Sequence, residues 1–366
     1  MSEGSEYAIS QVDFYKVRMQ RKEEFVIATG SSKDAVNLLV RVQSGAESGW
    51  GASAPNPVTG ETPETIEAFL LDARKRLVGA DARNIPSIHR ALAGAERNPA
   101  AMAGIDLAVH DLVGKLYGMP VCEMLSRRRE SVETCLSIGI ADLDTTLRRA
   151  REAVVGGFRA LKIKVGLNLA DDLGRVGAVR EVVGDGVRVG VDCNQGYTVE
   201  EAKAFADALS PLSIEFMEQP VRADDWEGLR AVTRHSDIPV MADEAVKTPT
   251  DAERLARGRY AEMLNVKLMK CGGIYPAMQM GKVCSSAGIK IIVGCMSECQ
   301  LSIAGGLHFA LSQDIVDLVD LDSHFSMLCD PSSGVCFSDG RLFPSPQPGL
   351  GVDVNEVAVL FPFPYA

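Results

Sequence analysis

The chain has 366 residues, more than one ordinary core contains, which favours two domains or a barrel with an attached domain. Hydrophobic residues make up 46% and charged residues 24%, a globular composition that argues against extensive disorder. The formal net charge of −11 argues against a nucleic-acid partner, which requires a basic face.

Signals for secretion and membrane insertion are missing from the printed sequence. The first ten residues contain neither a basic region nor an apolar run, and no apolar stretch reaches the length of a bilayer span. The nine cysteines are an odd number and form no C-x-x-C pair. We therefore predict reduced thiols in a cytoplasmic protein, with no structural zinc and no membrane partner.

The first part of the chain has strand patterns followed by helical patterns. Residues 35–42 are rich in β-formers and predict a strand of a hairpin. Helical periodicity begins near Thr62 and again at Asn98, which is a plausible N-cap for a helix that reaches about Tyr117. Strands followed by helices predict a small α+β domain over residues 1–125.

After this region, eight short apolar runs alternate with helical stretches. The runs occupy residues 134–140, 160–166, 187–195, 213–220, 238–245, 262–270, 290–298 and 315–323. This rhythm predicts an α/β fold, a closed barrel of eight parallel strands over residues 126–329. A doubly wound sheet is the alternative, but it would carry G-x-G-x-x-G after its first strand, and none is present. Residues 330–366 are rich in Pro and Gly and predict a tail that returns to the first domain.

Three carboxylates end consecutive strands of the predicted barrel. Asp192, Glu218 and Asp243 are 26 and 25 residues apart, which is one strand plus one helix. A barrel brings such residues together at its C-terminal mouth. Clustered oxygen ligands form a hard cation site that suits Mg²⁺. The alternative is that each acid is a solvated or salt-bridged strand end.

Two lysines flank these carboxylates in the strand order. Lys164 ends the second strand and Lys267 the sixth, so the two lie on opposite sides of the ring. A lysine acts as a general base only when its pKa is lowered, and Lys162 or a bound cation could lower the pKa of Lys164. The alternative is a solvated charge at each strand end.

These residues lie in motifs that resemble the muconate-lactonizing subgroup of the enolase superfamily. The motifs are G-W-G (49–51), K-I-K (162–164), D-C-N (192–194), E-Q-P (218–220), A-D-E (242–244) and N-V-K-L-M-K-C-G-G (265–273). The resemblance spans nearly the whole chain and implies an α+β capping domain over a (β/α)7β barrel. It also implies that the three carboxylates bind Mg²⁺ and that Lys164 and Lys267 are the acid/base pair. Lys162 would support an enolate charge.

The resemblance also gives Asn194 and Glu244 a supporting role behind the metal ligands. Within the superfamily, the D-L-D motif at 320–322 is similar to the D-x-D of the dipeptide epimerases, such as the L-Ala-D/L-Glu epimerases. There, the two acids receive the α-ammonium group of the dipeptide, which assigns this role to Asp320 and Asp322. The alternative is that both acids cap a helix or form salt bridges.

Two further segments resemble the same family, G-C-M-S-E (294–298) and P-V-T-G-E-T (57–62). Cys295 and Glu298 lie on the predicted seventh strand, and we expect both to line the mouth of the barrel. The alternative for Glu298 is a purely structural role. Ala52 departs from the pattern, because relatives often carry an acid after G-W-G.

The implied activity is inversion of an α-carbon by proton transfer through an enolate, with Ala-Glu or a related dipeptide as substrate. A muconate-type cycloisomerase, an o-succinylbenzoate synthase-like lyase and a non-catalytic binding protein are the alternatives. We expect the loops at 20–32 and 50–60 to set the specificity. The family also suggests a homo-oligomer.

Overall fold

The computed structural model describes residues 7–92, 94 and 97–356, and it begins with an antiparallel sheet. The strands are β1 (Gln11–Ile27), β2 (Gly30–Ser44) and β3 (Glu47–Ser53), in that spatial order. The sequence predicted only the centre of β2. The long strand β1 is rich in charge, yet Val17, Met19 and Arg21 alternate inward along it.

Four helices complete the cap: α1 (Pro63–Leu77), α2 (Ile85–Ala91), α3 (Pro99–Tyr117) and α4 (Val121–Met124). The predicted second helix is α3, but the Asn98 side chain makes no capping hydrogen bond. Instead, the Glu61 carboxylate accepts hydrogen bonds from the backbone N–H groups of Ala100 (2.9 Å) and Ala101 (3.1 Å). The N-terminus of α3 is therefore capped from outside the helix.

The predicted barrel is confirmed, with all eight strands parallel and the ring closed by pairing of the last strand with the first. Its strands are β4 (Val132–Ile138), β5 (Ala160–Lys164), β6 (Arg188–Asp192), β7 (Ile214–Glu218), β8 (Val240–Ala242), β9 (Met263–Lys267), β10 (Lys290–Gly294) and β11 (Val316–Asp320). The helices between them are α5 (Leu143–Val155), α6 (Leu169–Val183), α7 (Val199–Leu209), α8 (Trp226–His235), α9 (Pro249–Gly258), α10 (Leu268–Cys271), α11 (Ile274–Ala287) and α12 (Gln300–Leu311). This is the (β/α)7β order.

The alternation of side chains along β5 shows how a strand supplies the interior of the barrel. Leu161 and Ile163 belong to the main hydrophobic core, whereas Ala160 belongs to a small separate cluster of buried residues. Because side chains alternate, Lys162 and Lys164 share the face of Ala160. The strand thus carries two lysines toward its C-terminal end, both buried.

The described part of the tail, up to residue 356, forms four short strands, β12 (Ser332–Ser333), β13 (Cys336–Ser338), β14 (Arg341–Phe343) and β15 (Asp353–Val354). Strand β14 pairs with the first barrel strand β4, and the Leu350 N–H donates to Asp111 on α3 (2.7 Å). The tail therefore contacts the barrel as well as the cap, whereas the prediction named only the cap. The predicted domain limits at 125 and 329 stay predictions, and residues 357–366 lie outside the described residues.

Helix α3 is buried between the cap sheet and the barrel. The G-W-G motif lies on β3, and its glycines permit close contact with this helix. A Cβ on Gly51 would lie 2.1 Å from the Gly104 carbonyl oxygen, and one on Gly49 would lie 2.1 Å from the Ala108 carbonyl oxygen. Among the described residues, no helix is long and apolar enough to cross a bilayer.

We expect Gly51→Ala to lower the free energy of unfolding by about 1–3 kcal/mol, because the new methyl group overlaps the α3 backbone. Denaturant titration measures this change. Gly174→Ala is the matched control: Gly174 lies in α6, a Cβ there meets nothing within 4 Å, and alanine favours a helix. Equal stability of the two variants would contradict the contact described here.

Candidate active site

Three carboxylates meet at the C-terminal mouth of the barrel. Asp192 ends β6, Glu218 ends β7 and Asp243 directly follows β8. One oxygen from each lies within 4.8 Å of the others, and all three side chains are buried. Residues that are one strand plus one helix apart in the sequence thus form one cluster of oxygen ligands in the fold.

The electrostatics of the cluster favour a cation. Burial and the charge of Asp192 raise the pKa of Glu218 to about 8, although Lys162 opposes this shift. Burial also acts to raise the pKa of Asp243, but Lys267 and Lys270 outweigh it and lower that pKa. Three buried acids therefore depend on nearby positive charge, and carboxylate oxygens suit Mg²⁺.

Two neighbouring acceptors also fit a hydrated cation. The Asn194 Oδ1 and Glu244 Oε2 atoms are buried and have no hydrogen-bond partner among the described residues. Asn194 donates its side-chain N–H to Glu244 (3.3 Å) and its backbone N–H to Asp192 (2.9 Å). Both residues line the cavity above the triad, so two unpaired acceptors are available there to a hydrated cation.

Two lysines lie on either side of the triad. The Lys164 ammonium contacts Asp192 (Nζ–Oδ2 2.5 Å), and the Lys267 ammonium contacts Asp243 (Nζ–Oδ2 2.7 Å). Their strands, β5 and β9, are four apart in a ring of eight, so the two amines face each other across the barrel. Both are buried and line the cavity. A molecule bound above the triad would have one amine on each side.

Lys162 lies two residues before Lys164 on β5, further from the mouth of the barrel. It forms ion pairs with Glu218 (3.0 Å) and Asp320. Burial acts to lower its pKa, but these carboxylates raise it well above the usual value. Lys162 is therefore a fixed positive charge beneath the site. The predicted influence of Lys162 on the pKa of Lys164 stays a prediction.

The two acids of the D-L-D motif have different partners. Asp320 contacts Lys162 and accepts a hydrogen bond from the Ser137 hydroxyl (3.0 Å). Asp322 accepts one from the Ser137 backbone N–H (2.6 Å). Burial and the charge of Asp320 raise the pKa of Asp322 to about 6. Both line the cavity, but Asp322 has no salt-bridge partner among the described residues and is the better placed to receive a cation.

The cavity over the barrel has a volume of about 700 Å³. Both predicted specificity segments contribute to its wall, the first through Arg21, Phe25, Ile27 and 29–32, and the second through 55–58 and Gly60. The first segment is the hairpin of β1 and β2, not a loop as predicted. Cys295 also lines it. Ala52 is fully buried and is not part of the wall, so its departure from the family pattern does not change the cavity surface.

The structure corrects the prediction for Glu298. This residue is buried but does not line the cavity, and its carboxylate accepts a hydrogen bond from the Met296 backbone N–H (2.6 Å). Strand β10 already ends at Gly294. Glu298 therefore lies in the following turn, where the alternation of a strand no longer determines direction.

Sequence reasoning missed the residues that hold the acids in place. Lys270 contacts Asp243 (Nζ–Oδ1 2.5 Å), and Asn265 donates to Glu218 (2.7 Å). The Gln219 side-chain oxygen accepts a hydrogen bond from the Asp243 backbone N–H (2.9 Å). For Asn265 a signal existed, since it lies two residues before Lys267 on β9 and faces the same way. For Lys270, which lies in the short helix α10 after the strand has ended, the alternation of a strand gives no such signal.

Two family models match the chain. "Mandelate racemase / muconate lactonizing enzyme, N-terminal domain" matches residues 9–126, and "Enolase C-terminal domain-like" matches residues 145–358.

Curated relatives and solved structures resemble the chain over most of its length. The hydrophobic dipeptide epimerase of Enterococcus faecalis is 35% identical over 89% of this chain and 93% of its own length. The L-Lys-D/L-Arg epimerase of Methylococcus capsulatus is 38% identical over the same shares. A crystal structure of the Enterococcus faecalis dipeptide epimerase with Mg and L-Leu-L-Tyr gives a TM-score of 0.92 at 33% identity, covering 94% of this chain and 99% of that chain.

Proposed function

This chain belongs to the enolase superfamily, in its mandelate racemase/muconate lactonizing enzyme group, and we propose on that premise that it is a Mg²⁺-dependent dipeptide epimerase. One observation carries the proposal: two buried amines, Lys164 and Lys267, lie on opposite sides of a carboxylate triad. Inversion of a carbon requires one group that removes a proton from one face and another that delivers a proton to the other face.

We assign the C-terminal carboxylate of the dipeptide to the triad of Asp192, Glu218 and Asp243. Mg²⁺ held there would supply positive charge that makes the adjacent α-proton more acidic. One lysine, as the neutral amine, takes this proton from the α-carbon. The ammonium of the other lysine returns a proton to the opposite face. Lys162 stabilises the negative charge that develops between these steps.

The acidic end of the site supports a dipeptide rather than a substrate of the rival reactions. A muconate-type cycloisomerase or an o-succinylbenzoate synthase-like lyase would use the same triad and lysines, but neither substrate carries an α-ammonium group. Asp322, buried and without a salt bridge among the described residues, suits such a group. A dipeptide library incubated with the enzyme and Mg²⁺ in D₂O tests the proposal, since inversion incorporates deuterium at the α-carbon. Absence of exchange across the library would refute it.

We expect Asp322→Asn to reduce kcat/KM for L-Ala-L-Ala by about 10- to 100-fold, because a charge-assisted contact to the ammonium is lost. The asparagine oxygen can still accept the Ser137 hydrogen bond, so the fold should persist. N-acetylated L-Ala-L-Ala, which has no ammonium, should lose less than about 3-fold. Steady-state rates of both compounds measure the difference. Equal losses for both would contradict the assignment.

Further properties support a small-molecule enzyme of the cytoplasm. All nine cysteines are free, as expected in a reducing compartment. The net charge of −11 does not suit nucleic acid. The expected homo-oligomer stays a prediction.

A further inference from the structure

Arg21 lies where the cap meets the mouth of the barrel. Its side chain lines the cavity, although the residue as a whole is only 7% exposed. The register between β1 and β2 shifts between Gln20 and Phe25, which bends the strand at this point. The Gln20 carbonyl accepts a hydrogen bond from the Leu328 N–H (2.8 Å), and Arg21 itself pairs with Met327. The backbone of Arg21 is therefore fixed to the segment that follows β11.

Within the described part of the chain, the Arg21 guanidinium has only neutral hydrogen-bond partners. It donates to the Ser326 hydroxyl (2.7 Å) and the Ser297 hydroxyl (2.5 Å), and it lies over the ring of Phe25. Its Nε is buried and has no partner, and no carboxylate of the described residues forms an ion pair with it. A buried charge with an unpaired donor is costly unless an anion compensates it. The guanidinium is thus built to accept an anion from the cavity.

The surroundings of Arg21 indicate which part of the substrate it faces. Burial lowers the pKa of Arg21, and the nearby charge of Asp322 opposes this shift. The other charged side chains of the cap in the wall are already engaged: Asp34 pairs with Arg18, and Glu61 caps α3. Arg21 and Asp322 both line this end of the cavity, and neither forms an ion pair among the described residues. They leave one cation and one anion available to a ligand.

We propose that Arg21 selects dipeptides whose N-terminal residue carries a side-chain carboxylate, with aspartate and glutamate as the two candidates. The inference rests on the proposed function, in which Asp322 receives the α-ammonium group and the triad receives the other end of the molecule. An N-terminal acidic residue has one ammonium and one carboxylate, the complement of Asp322 and Arg21. A cationic side chain at the same position is repelled by the guanidinium.

The wild-type enzyme tests the selection directly. We expect kcat/KM for L-Glu-L-Ala to exceed that for the isosteric L-Gln-L-Ala by about 10- to 100-fold, with L-Lys-L-Ala the slowest. L-Ala-L-Ala serves as the reference for the activity itself. A preference for L-Lys-L-Ala, or equal rates for the glutamyl and glutaminyl dipeptides, would overturn the proposal while leaving the epimerase activity intact. No exchange with any of them would overturn the proposal, and absence of exchange across the whole dipeptide library would refute the proposed function as well.

Arg21→Met, with Lys22→Met as control, separates recognition from a structural role. Lys22 is the adjacent cation on β1, is exposed and does not line the cavity. We expect R21M to lower kcat/KM for L-Glu-L-Ala by about 10- to 100-fold and for L-Gln-L-Ala by less than about 3-fold, whereas K22M changes neither. Equal losses for both dipeptides in R21M would show that Arg21 only joins cap and barrel, against the proposal. If R21M does not fold, the wild-type ranking decides.

An N-acyl group is a second possible source of the carboxylate. N-succinyl-L-alanine carries one in a comparable position but lacks the ammonium. If its kcat/KM exceeds that of L-Glu-L-Ala and falls in R21M, the carboxylate belongs to an acyl group and the dipeptide assignment is wrong. A lower value supports the proposal.

Discussion

Replacement of Lys164 or Lys267 by alanine is expected to lower the rate of epimerisation by about 10³-fold or more, because one face of the α-carbon loses its proton-transfer group in each variant. The two ammonium groups contact Asp192 and Asp243 on opposite flanks of the triad, so neither can reach the face served by the other. Polarimetry or chiral chromatography measures the rate. Lys75→Ala, an exposed lysine of α1, is the matched control and should remain fully active.

Hydrogen exchange in D₂O makes this test more specific. A variant that retains one amine should still exchange the α-proton of the single stereoisomer whose proton faces that amine, although it cannot invert the centre. The two variants should therefore exchange opposite stereoisomers. Exchange of the same stereoisomer by both variants, or continued inversion by either, would contradict the opposite placement of the amines.

Mg²⁺ is expected to raise the Tm of the wild-type protein by about 3–4 °C, a shift that Glu218→Gln should abolish. Saturation at about 100 times Kd adds about 2.7 kcal/mol to the free energy of unfolding, which amounts to a few degrees for a protein of this size. The physical reason is the buried triad, whose middle member has a pKa raised to about 8 by burial and by Asp192. Differential scanning calorimetry with Mg²⁺ and with EDTA measures the shift, independently of activity.

The comparison is made within each variant, so any change in stability that the substitution itself causes cancels. Glu67→Gln removes an exposed carboxylate of α1 and should keep the full response. A full Mg²⁺ response in Glu218→Gln would show that the cation binds elsewhere.

The residues brought together at the barrel mouth were predictable where a strand carries them. Asp192, Glu218 and Lys267 each end an apolar run, and the repeat of one strand plus one helix places such ends on one ring. The alternation of side chains also put Lys162 inside the barrel. For these residues, the alternation along a strand and the closed barrel together determine where the side chain lies.

Positions outside regular strands could not be predicted in this way. Glu298 follows β10 by four residues, and the turn directs its carboxylate to a backbone N–H instead of the cavity. Lys270 resembles a solvated lysine in the sequence, but the packing around α10 buries it against Asp243. Arg21 is one of several charges on β1, and only the contact between cap and barrel distinguishes it.

The pairing of β4 determines when the ring can close as the chain is made. Its partners β11 and β14 include Val319 and Leu342, which the ribosome adds long after Val132. One edge of the first barrel strand therefore has no partner until β11 and β14 have been synthesised. Nascent chains would expose apolar strands throughout that interval, when a chaperone that shields hydrophobic surface matters most.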